Sequence, residues 1–152
     1  MKNLISTSMK TFHWGRGYIT ALCGVGVLRS AILDTPDRKD AMQELFVDTP
    51  DDLIQLCEQL KGSEWLALDT EFIREKTYYP RLCLIQICNG DTAACVDPLK
   101  LSDLGPLLDI LYDGSILKVL HAARQDLEIF LHDYKRLPMP VFDTQPAAAL
   151  LG

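Results

Sequence analysis

Two acidic residues, Asp69 and Glu71, stand two positions apart at the end of the apolar run 65–68. Successive side chains of a strand point to opposite faces, so the two carboxylates would share a face, with Cα atoms about 6.5–7 Å apart. Like charges this close repel each other, and such a pair persists when a cation lies between them. Hard divalent ions such as Mg²⁺ and Mn²⁺ prefer carboxylate oxygens. The pair therefore predicts a metal site.

A third candidate ligand is Asp126, which lies in the first turns of a predicted helix. The helix dipole favours a carboxylate at that place. Asp126 precedes Leu127, where the predicted apolar stripe of the helix begins, so it lies about 100° from that stripe. From the local pattern alone, an acid that only stabilises the start of the helix is an equally good interpretation.

Three strands must position the acidic pair. Apolar residues dominate the runs 65–72, 81–88 and 92–96. Asn89-Gly90, between the second and third runs, is a strong hairpin signal. We therefore predict an antiparallel meander of three strands. The connection 73–80 is too long for a tight turn, and loops of this kind often border sites.

Helices and shorter strands surround this meander. Thr49-Pro50 predicts a helix start before the meander, and Ser102 is the predicted cap of a second helix after it. The apolar run 116–120 is typical of a buried strand, and the third helix follows it. A short strand over 141–143 and a helix from Pro146 complete the order, which predicts an α/β fold with a mixed sheet.

The apolar residues at helical spacing predict which face of each helix is buried. For the first helix the predicted buried residues are Leu53, Leu56, Cys57 and Leu60. For the third helix they are Leu127, Phe130, Leu131 and Tyr134.

The bulk composition limits the class of protein. The 152 residues carry a formal charge of −6, which argues against non-specific nucleic-acid binding as the main task but not against a metal-dependent nuclease. No run of 18 or more apolar residues occurs, so no membrane span is predicted. The five cysteines show no zinc-like spacing. Free thiols fit a reducing cytoplasm, which is the predicted location.

Residues 1–41 differ from the rest, because no acidic residue occurs before Asp34. One interpretation is translation from a start codon upstream of a natural start at Met42. A second is a targeting segment, either an organellar presequence or a weak secretory signal built on residues 19–28. A third is an ordered extension. We predict a folded domain over 42–152 and an atypical extension over 1–41.

Four segments of the domain resemble a known family. They are Leu68-Asp69-Thr70-Glu71-Phe72, Pro80-Arg81-Leu82-Cys83-Leu84-Ile85-Gln86, His121-Ala122-Ala123-Arg124-Gln125-Asp126-Leu127 and Phe142-Asp143-Thr144-Gln145. In this order they resemble ribonuclease D, a family of 3′–5′ exoribonucleases in the DEDD superfamily. The resemblance implies the ribonuclease-H-like exonuclease fold.

The resemblance also implies a reaction. Two divalent ions, Mg²⁺ or Mn²⁺, would hold the attacking water and the leaving 3′ oxygen, and nucleoside 5′-monophosphates would be released. By similarity, Asp69 would bridge both ions, Glu71 would bind the water-activating ion and Asp126 would hold the second ion.

One motif of the family is missing. A fourth Asp, preceded by a Tyr four positions earlier, belongs on a helix beyond the last predicted strand. Asp143 does not match it in position or context, and it is better interpreted as the cap of the helix that follows. We therefore expect the domain to be C-terminally incomplete, and a chain without this motif to bind metal weakly and cleave slowly or not at all.

Four residues are candidates for substrate binding: Thr70, Phe72, His121 and Gln125. Phe72 could stack on a terminal base or belong to the core. His121 could contact the terminal nucleotide, or it could lie at a strand end with its ring hydrogen-bonded within the protein. Further polar and basic residues could contact the RNA backbone or simply be solvated: Gln86, Arg74, Lys76 and Arg81.

The resemblance supplies the expected partner, which is the 3′ end of RNA and transfer RNA precursors above all. No protein partner follows from the sequence. Two alternatives stay open at this stage. One is a catalytically inactive fragment, and the other is a DNA exonuclease of the proofreading type, because no residue in these motifs reads a 2′-hydroxyl.

Overall fold

The computed structural model describes residues 9–14, 17–22, 42–74 and 79–150. The chain divides into two compact units, Met1–Ala41 and Met42–Gly152. In the first unit, β1 (Met9–Trp14) and β2 (Gly17–Leu22) pair antiparallel. Most of the segment interpreted as a secretory signal, residues 23–28, lies outside the described residues. The origin of the extension stays a prediction.

The second unit is built on a mixed sheet of six strands with the order β3-β6-β5-β4-β7-β8. Strands β4, β5 and β6 are antiparallel neighbours, and the pairs β3–β6, β4–β7 and β7–β8 are parallel. The strands are β3 (Gln43–Val47), β4 (Trp65–Ile73), β5 (Arg81–Cys88), β6 (Thr92–Val96), β7 (Leu117–Leu120) and β8 (Val141–Asp143). The helices are α1 (Pro50–Leu60), α2 (Gly105–Leu111), α3 (Arg124–Tyr134) and α4 (Thr144–Ala149). The predicted mixed α/β fold is confirmed.

The predicted meander and its hairpin are confirmed as well. Gly90 has φ +97°, a conformation that glycine adopts without strain. The Asn89 side chain accepts hydrogen bonds from the N–H groups of Asp91 at 3.1 Å and Thr92 at 2.9 Å. This turn places β5 and β6 in register, and the other edge of β5 pairs with the acidic strand β4.

Helix α1 begins where its sequence predicts. Thr49 is the N-cap, and its hydroxyl accepts a hydrogen bond from the N–H of Asp52 at 3.3 Å. All four predicted stripe residues of α1 are buried in the hydrophobic core. This helix is a packing element.

Two local expectations were wrong. Strand β3 was not predicted, because only Val47 of its five residues is buried and the strand occupies the sheet edge beside β6. Ser102 does not cap α2, which starts at Gly105 with Leu104 as its N-cap. Instead, the Asp103 carboxylate accepts a hydrogen bond from the N–H of Gly105 at 2.7 Å.

Three of the four predicted stripe residues of α3 pack in or against the core, and the buried face is rotated toward Asp126. Phe130 is fully buried and Leu127 and Tyr134 are partly buried, but Leu131 is 52% exposed. The buried residues of α3 are Asp126, Ile129 and Phe130, which lie on one face at helical spacing. The rotation follows from the inward position of Asp126, which the apolar pattern could not reveal. Asp126 therefore lies on the buried face itself, not beside it.

No disulfide bond joins the four cysteines that the structure describes, Cys57, Cys83, Cys88 and Cys95. Cys23 lies outside the described residues. Within the segments that the structure describes, no helix has the length and hydropathy needed to cross a bilayer.

Candidate active site

The end of β4 presents Asp69 and Glu71 on one face of the sheet. The pairing between β4 and β5 is regular from Ala67 to Glu71, and the first irregularity falls between Glu71 and Phe72. Alternation of side chains therefore holds across the acidic pair, as predicted. Asp69 is only 7% exposed and Glu71 is half-buried. A carboxylate this well buried needs compensation by hydrogen bonds or by a cation.

Helix α3 brings its buried acid onto the same strand. Asp126 is 3% exposed, and its Oδ1 accepts two hydrogen bonds from Thr70. The Thr70 N–H donates at 3.0 Å and the Thr70 hydroxyl at 2.5 Å. Thr70 stands between Asp69 and Glu71, so the structure links the third predicted carboxylate to the residue between the other two. Fifty-six positions separate the two ends of this contact.

The chemistry of these residues suits a divalent ion. Three carboxylates supply the oxygen ligands that Mg²⁺ and Mn²⁺ prefer. Gln86 lies directly opposite Asp69 in the β4–β5 register. Its buried Nε2 has no hydrogen-bond partner among the described residues. A buried donor without a protein partner, on the residue paired with Asp69, fits a site that a ligand completes.

The geometry of a metal cluster is not formed by the described side chains. Across residues 42–74 and 79–150, no group of three or more His, Cys, Asp or Glu side chains is arranged to hold an ion. The structure therefore supports the donor chemistry and the link between Asp126 and β4, and it leaves the ligand assignment a proposal.

The predicted substrate-binding residues differ in their surroundings. Thr70 is buried and its hydroxyl is bonded to Asp126. Phe72 is partly buried and packs against the core. His121 contacts the Thr144 hydroxyl through Nδ1 at 2.9 Å, and Gln125 is exposed on α3.

The basic candidates lie on the surface where the structure describes them. Arg74 is 3.9 Å from the Glu128 carboxylate, and both side chains are about half exposed. Such a pair contributes little to stability. Arg81 is exposed at the start of β5. Lys76 lies outside the described residues.

Asp143, at the end of β8, bonds backbone groups of two different elements. Its Oδ1 accepts from the N–H groups of Ala122 and Gln145, and its Oδ2 accepts from the N–H of Ala123, all at 2.9 Å. The bond to Gln145 makes Asp143 the N-cap of α4, as predicted. The bonds to Ala122 and Ala123, in the turn between β7 and α3, were not predicted.

The ionised state of Asp143 is favoured by these donors. Burial alone would raise its pKa, but the N–H groups of Gln145, Ala123 and Ala122, and then His121, hold the pKa below the usual 3.8. Hydrogen bonds to a charged acceptor are the stronger kind. Asp143 therefore acts as a charged acceptor for the backbone.

Thr144 ties the same turn to β7. Its hydroxyl donates to the backbone oxygen of Leu120 at 3.1 Å. A hydroxyl has one proton, so in the contact between this hydroxyl and His121 the Nδ1–H of the ring is the donor. The neutral His121 ring therefore has its proton on Nδ1. Sequence reasoning assigned no such tautomer.

A separate cleft of about 450 Å³ lies between the start of β5 and the end of α3. Tyr79 stacks on His132 at its rim, with ring centroids 3.9 Å apart. None of the three predicted carboxylates lines this cleft, so it is not the candidate active site.

The sequence of this chain is similar to a known protein family and to several of its members. The 3′–5′ exonuclease family profile matches residues 45–152. Ribonuclease D of Escherichia coli is 48% identical over 111 residues, which cover 73% of this chain and 30% of that protein. Ribonuclease D of Zymomonas mobilis is 52% identical over 102 residues, covering 66% of this chain and 26% of that protein. The chain thus spans less than a third of the length of these relatives.

Solved structures show the same relationship. The crystal structure of E. coli RNase D, described as an exoribonuclease involved in structured RNA processing, matches with a TM-score of 0.68 over 73% of this chain and 30% of that one. A Trypanosoma brucei RNase D in complex with the RNA U12 matches with a TM-score of 0.61 at 25% identity, over 68% of this chain and 38% of that one.

The family profile covers the segments that carry the acidic pair, Asp126 and Asp143. Together the matches confirm the family resemblance and the ribonuclease-H-like fold. Exonucleases of the ribonuclease D type generally depend on divalent metal ions. The chain belongs to the 3′–5′ exonuclease family, and the relatives it resembles at 48% and 52% identity are ribonucleases D.

Proposed function

We propose that this chain carries the catalytic residues of a 3′–5′ exoribonuclease, with Asp69, Glu71 and Asp126 as metal ligands. The main support is the pair of hydrogen bonds from Thr70 to Asp126, which joins α3 to the acidic end of β4. This contact supports the proposal because it brings Asp126 to the strand that carries the other two acidic residues.

The proposed reaction is hydrolysis of the terminal phosphodiester bond. A water oxygen bonds to phosphorus, the bond from phosphorus to the 3′ oxygen breaks, and that oxygen takes a proton. The products are a nucleoside 5′-monophosphate and an RNA shortened by one residue. Two bound Mg²⁺ or Mn²⁺ ions would supply Lewis acidity and lower the pKa of the attacking water.

The residues of this chain would bind the metal ions and orient the substrate. Asp69 and Glu71 would hold ions on the shared face of β4, and Asp126 would contribute from α3. Gln86 Nε2, a buried donor opposite Asp69, would donate to a phosphate oxygen. Thr70, Phe72, His121 and Gln125 remain proposed substrate contacts, with the 3′ end of transfer RNA precursors as substrate and the cytoplasm as location.

A labelled oligonucleotide tests the activity. RNA labelled at its 5′ end is incubated with the chain and Mg²⁺ or Mn²⁺, and shortening is followed together with release of nucleoside monophosphates. Asp69→Asn preserves the volume of a buried side chain and removes its charge, so we expect the rate to fall at least about 100-fold. Asp91→Asn, at the exposed hairpin, is the matched control and should keep the wild-type rate.

Two results would contradict the proposal. Equal and measurable rates for wild type and Asp69→Asn would remove Asp69 from the site. Degradation of DNA but not of RNA would assign the chain to a deoxyribonuclease. Calorimetric titration with Mn²⁺ checks the ligands without turnover, and unchanged affinity in Asp69→Asn would exclude Asp69 as a ligand.

A further inference from the structure

The turn between β7 and α3 contains a backbone conformation that its own sequence does not favour. Ala122 has φ +57°, and for a residue with a Cβ the left-handed region costs about 1–2 kcal/mol. The neighbouring N-cap of α3, Ala123, has no side chain able to bond the helix start. Something outside this segment must hold the turn in place.

The Asp143 carboxylate stabilises this turn by hydrogen bonds. It accepts the N–H groups of Ala122 and Ala123, one on each oxygen, at 2.9 Å. These are the residue in the left-handed conformation and the N-cap of α3. The carboxylate also lies at the start of α3, where the helix dipole favours an anion. We call these contacts, together with the bond to the N–H of Gln145, the amide clamp.

The position of Asp126 depends on where α3 begins. Asp126 is the third residue of the helix, and its Oδ1 must be within hydrogen-bond reach of both the N–H and the hydroxyl of Thr70. A change in the path of residues 122–123 would shift the first turn of α3. Hydrogen bonds at 2.5 and 3.0 Å tolerate only a small displacement.

We propose that Asp143 is a positioning residue, whose carboxylate fixes the turn before α3 and thereby holds Asp126 against Thr70 at the end of β4. Asp143 then acts through the backbone and not as a metal ligand. Its relevance to catalysis rests on the proposed function, in which Asp126 is a site residue. Its structural part stands on the clamp alone.

Amide hydrogen exchange of the full chain, followed by NMR, tests the inference. The reporter is the N–H of Thr70, which donates to Asp126. In Asp143→Ala we expect this amide to exchange at least about tenfold faster, while amides in the centre of β5 keep their rates. Asp126→Ala removes the acceptor itself and should give the same pattern. A general loss of structure would accelerate both sets of amides, so the ratio between them separates positioning from stability.

Two further variants make the test decisive. Asp103→Ala removes another carboxylate that bonds a backbone N–H at a helix start, that of Gly105 before α2, and it should leave the Thr70 rate unchanged. Asp143→Asn retains an oxygen acceptor on one side and loses the other, so it should give an intermediate rate. It also carries the test if Asp143→Ala fails to fold.

The outcomes separate the two proposals. Unchanged Thr70 protection, with faster exchange only at Ala122 and Ala123, would overturn the positioning role. Faster Thr70 exchange would support it, even if no variant of the chain degrades RNA. In that case the proposed function would fail alone. If the wild type is active, a parallel loss of Mn²⁺ affinity in Asp143→Ala and Asp126→Ala would connect the clamp to the site.

Discussion

A charged side chain lies at each end of the β7–β8 pair, and each one forms hydrogen bonds to three backbone groups. The charge is positive at one end and negative at the other. At the first position of the pair, the Lys118 ammonium donates to the backbone oxygens of Asp113, Ile116 and Met139, with distances of 2.5–3.0 Å. We call this set the carbonyl cage. At the last position, opposite Leu120, Asp143 accepts the three N–H groups of the amide clamp.

The two ends differ in burial and in what they touch. Lys118 has no exposed surface, and burial lowers its pKa from 10.5 although the Asp113 charge raises it. An ammonium has three donors, and the carbonyl cage uses all three. Asp143 is only half-buried and contacts the turn that precedes Asp126. The carbonyl cage therefore stabilises the sheet, whereas the amide clamp positions one side chain.

Removing the carbonyl cage should have the largest effect on stability. Lys118→Met keeps the length of the side chain but leaves up to three backbone oxygens without their donor. Each buried unsatisfied group costs about 1–3 kcal/mol, partly offset because no charge is buried, so we expect a loss of about 3 kcal/mol. Urea unfolding at pH 7 measures it.

The distinction between the two ends requires more than a loss of stability. Lys100→Met, an exposed position after β6, is the matched control and should change stability by less than about 0.5 kcal/mol. Folded Lys118→Met should keep wild-type exchange at the Thr70 amide relative to the core. Selective loss of Thr70 protection in this variant would show that the carbonyl cage also positions Asp126. The two ends of the β7–β8 pair would then not differ in role.

The amide clamp should fail in acid. Because the pKa of Asp143 is lower in the folded chain than its usual 3.8, its contribution is complete above that value and is lost as the pH falls through the folded pKa. At neutral pH we expect Asp143→Asn to be about 1 kcal/mol less stable than the wild type, because hydrogen bonds to a charged acceptor are stronger than those to a neutral one. The difference should shrink below about pH 4.

Asp113 provides the comparison for this titration. Hydrogen bonds from the Ser115 side chain and backbone lower the pKa of Asp113 as well, so the acid sensitivity of the whole chain cannot be attributed to one group. Stability is therefore measured for wild type, Asp113→Asn and Asp143→Asn across pH 2–7. A constant gap between wild type and Asp143→Asn at all pH values would show that the amide clamp does not depend on the charge.

Local sequence signals predicted the parts of the molecule that local forces build. The Asn89-Gly90 turn and the strands on either side follow from backbone preferences and from neighbouring residues. The start of α1 at Thr49-Pro50 likewise needs only capping within one turn. The acidic pair on β4 follows from strand alternation. These features involve contacts close in sequence, so their patterns are visible in the chain.

Features that depend on distant partners were not predictable in this way. Strand β3 was missed because its pairing with β6 is parallel and remote, and the rotation of α3 was missed because the inward side chain is the polar Asp126. Neither Lys118 nor the Ala122–Asp143 contact has a local signature. Lys118 is a single charged residue within an apolar strand. Its backbone acceptors lie in two connections, the one before β7 and the one before β8.

The smallest predicted effect is that of Ala122→Gly, a change in the backbone that the amide clamp holds. Ala122→Gly removes the strain of φ +57°, but glycine also gains freedom in the unfolded chain, so a net stabilisation of about 0.5 kcal/mol is expected. Ala122→Val places a β-branched residue in the same conformation and should cost about 1–2 kcal/mol. Thermal unfolding at neutral pH measures both.

Lys135 supplies a reference outside the amide clamp, because it ends α3 with the same φ of +57°. Lys135→Gly should stabilise the chain to a similar extent, since glycine is favoured at that position of a helix end. A neutral Ala122→Val would show that residue 122 can leave the left-handed region. Asp143 would then bond the turn without determining its conformation, and the position of Asp126 would have to be fixed by α3 packing through Ile129 and Phe130 instead.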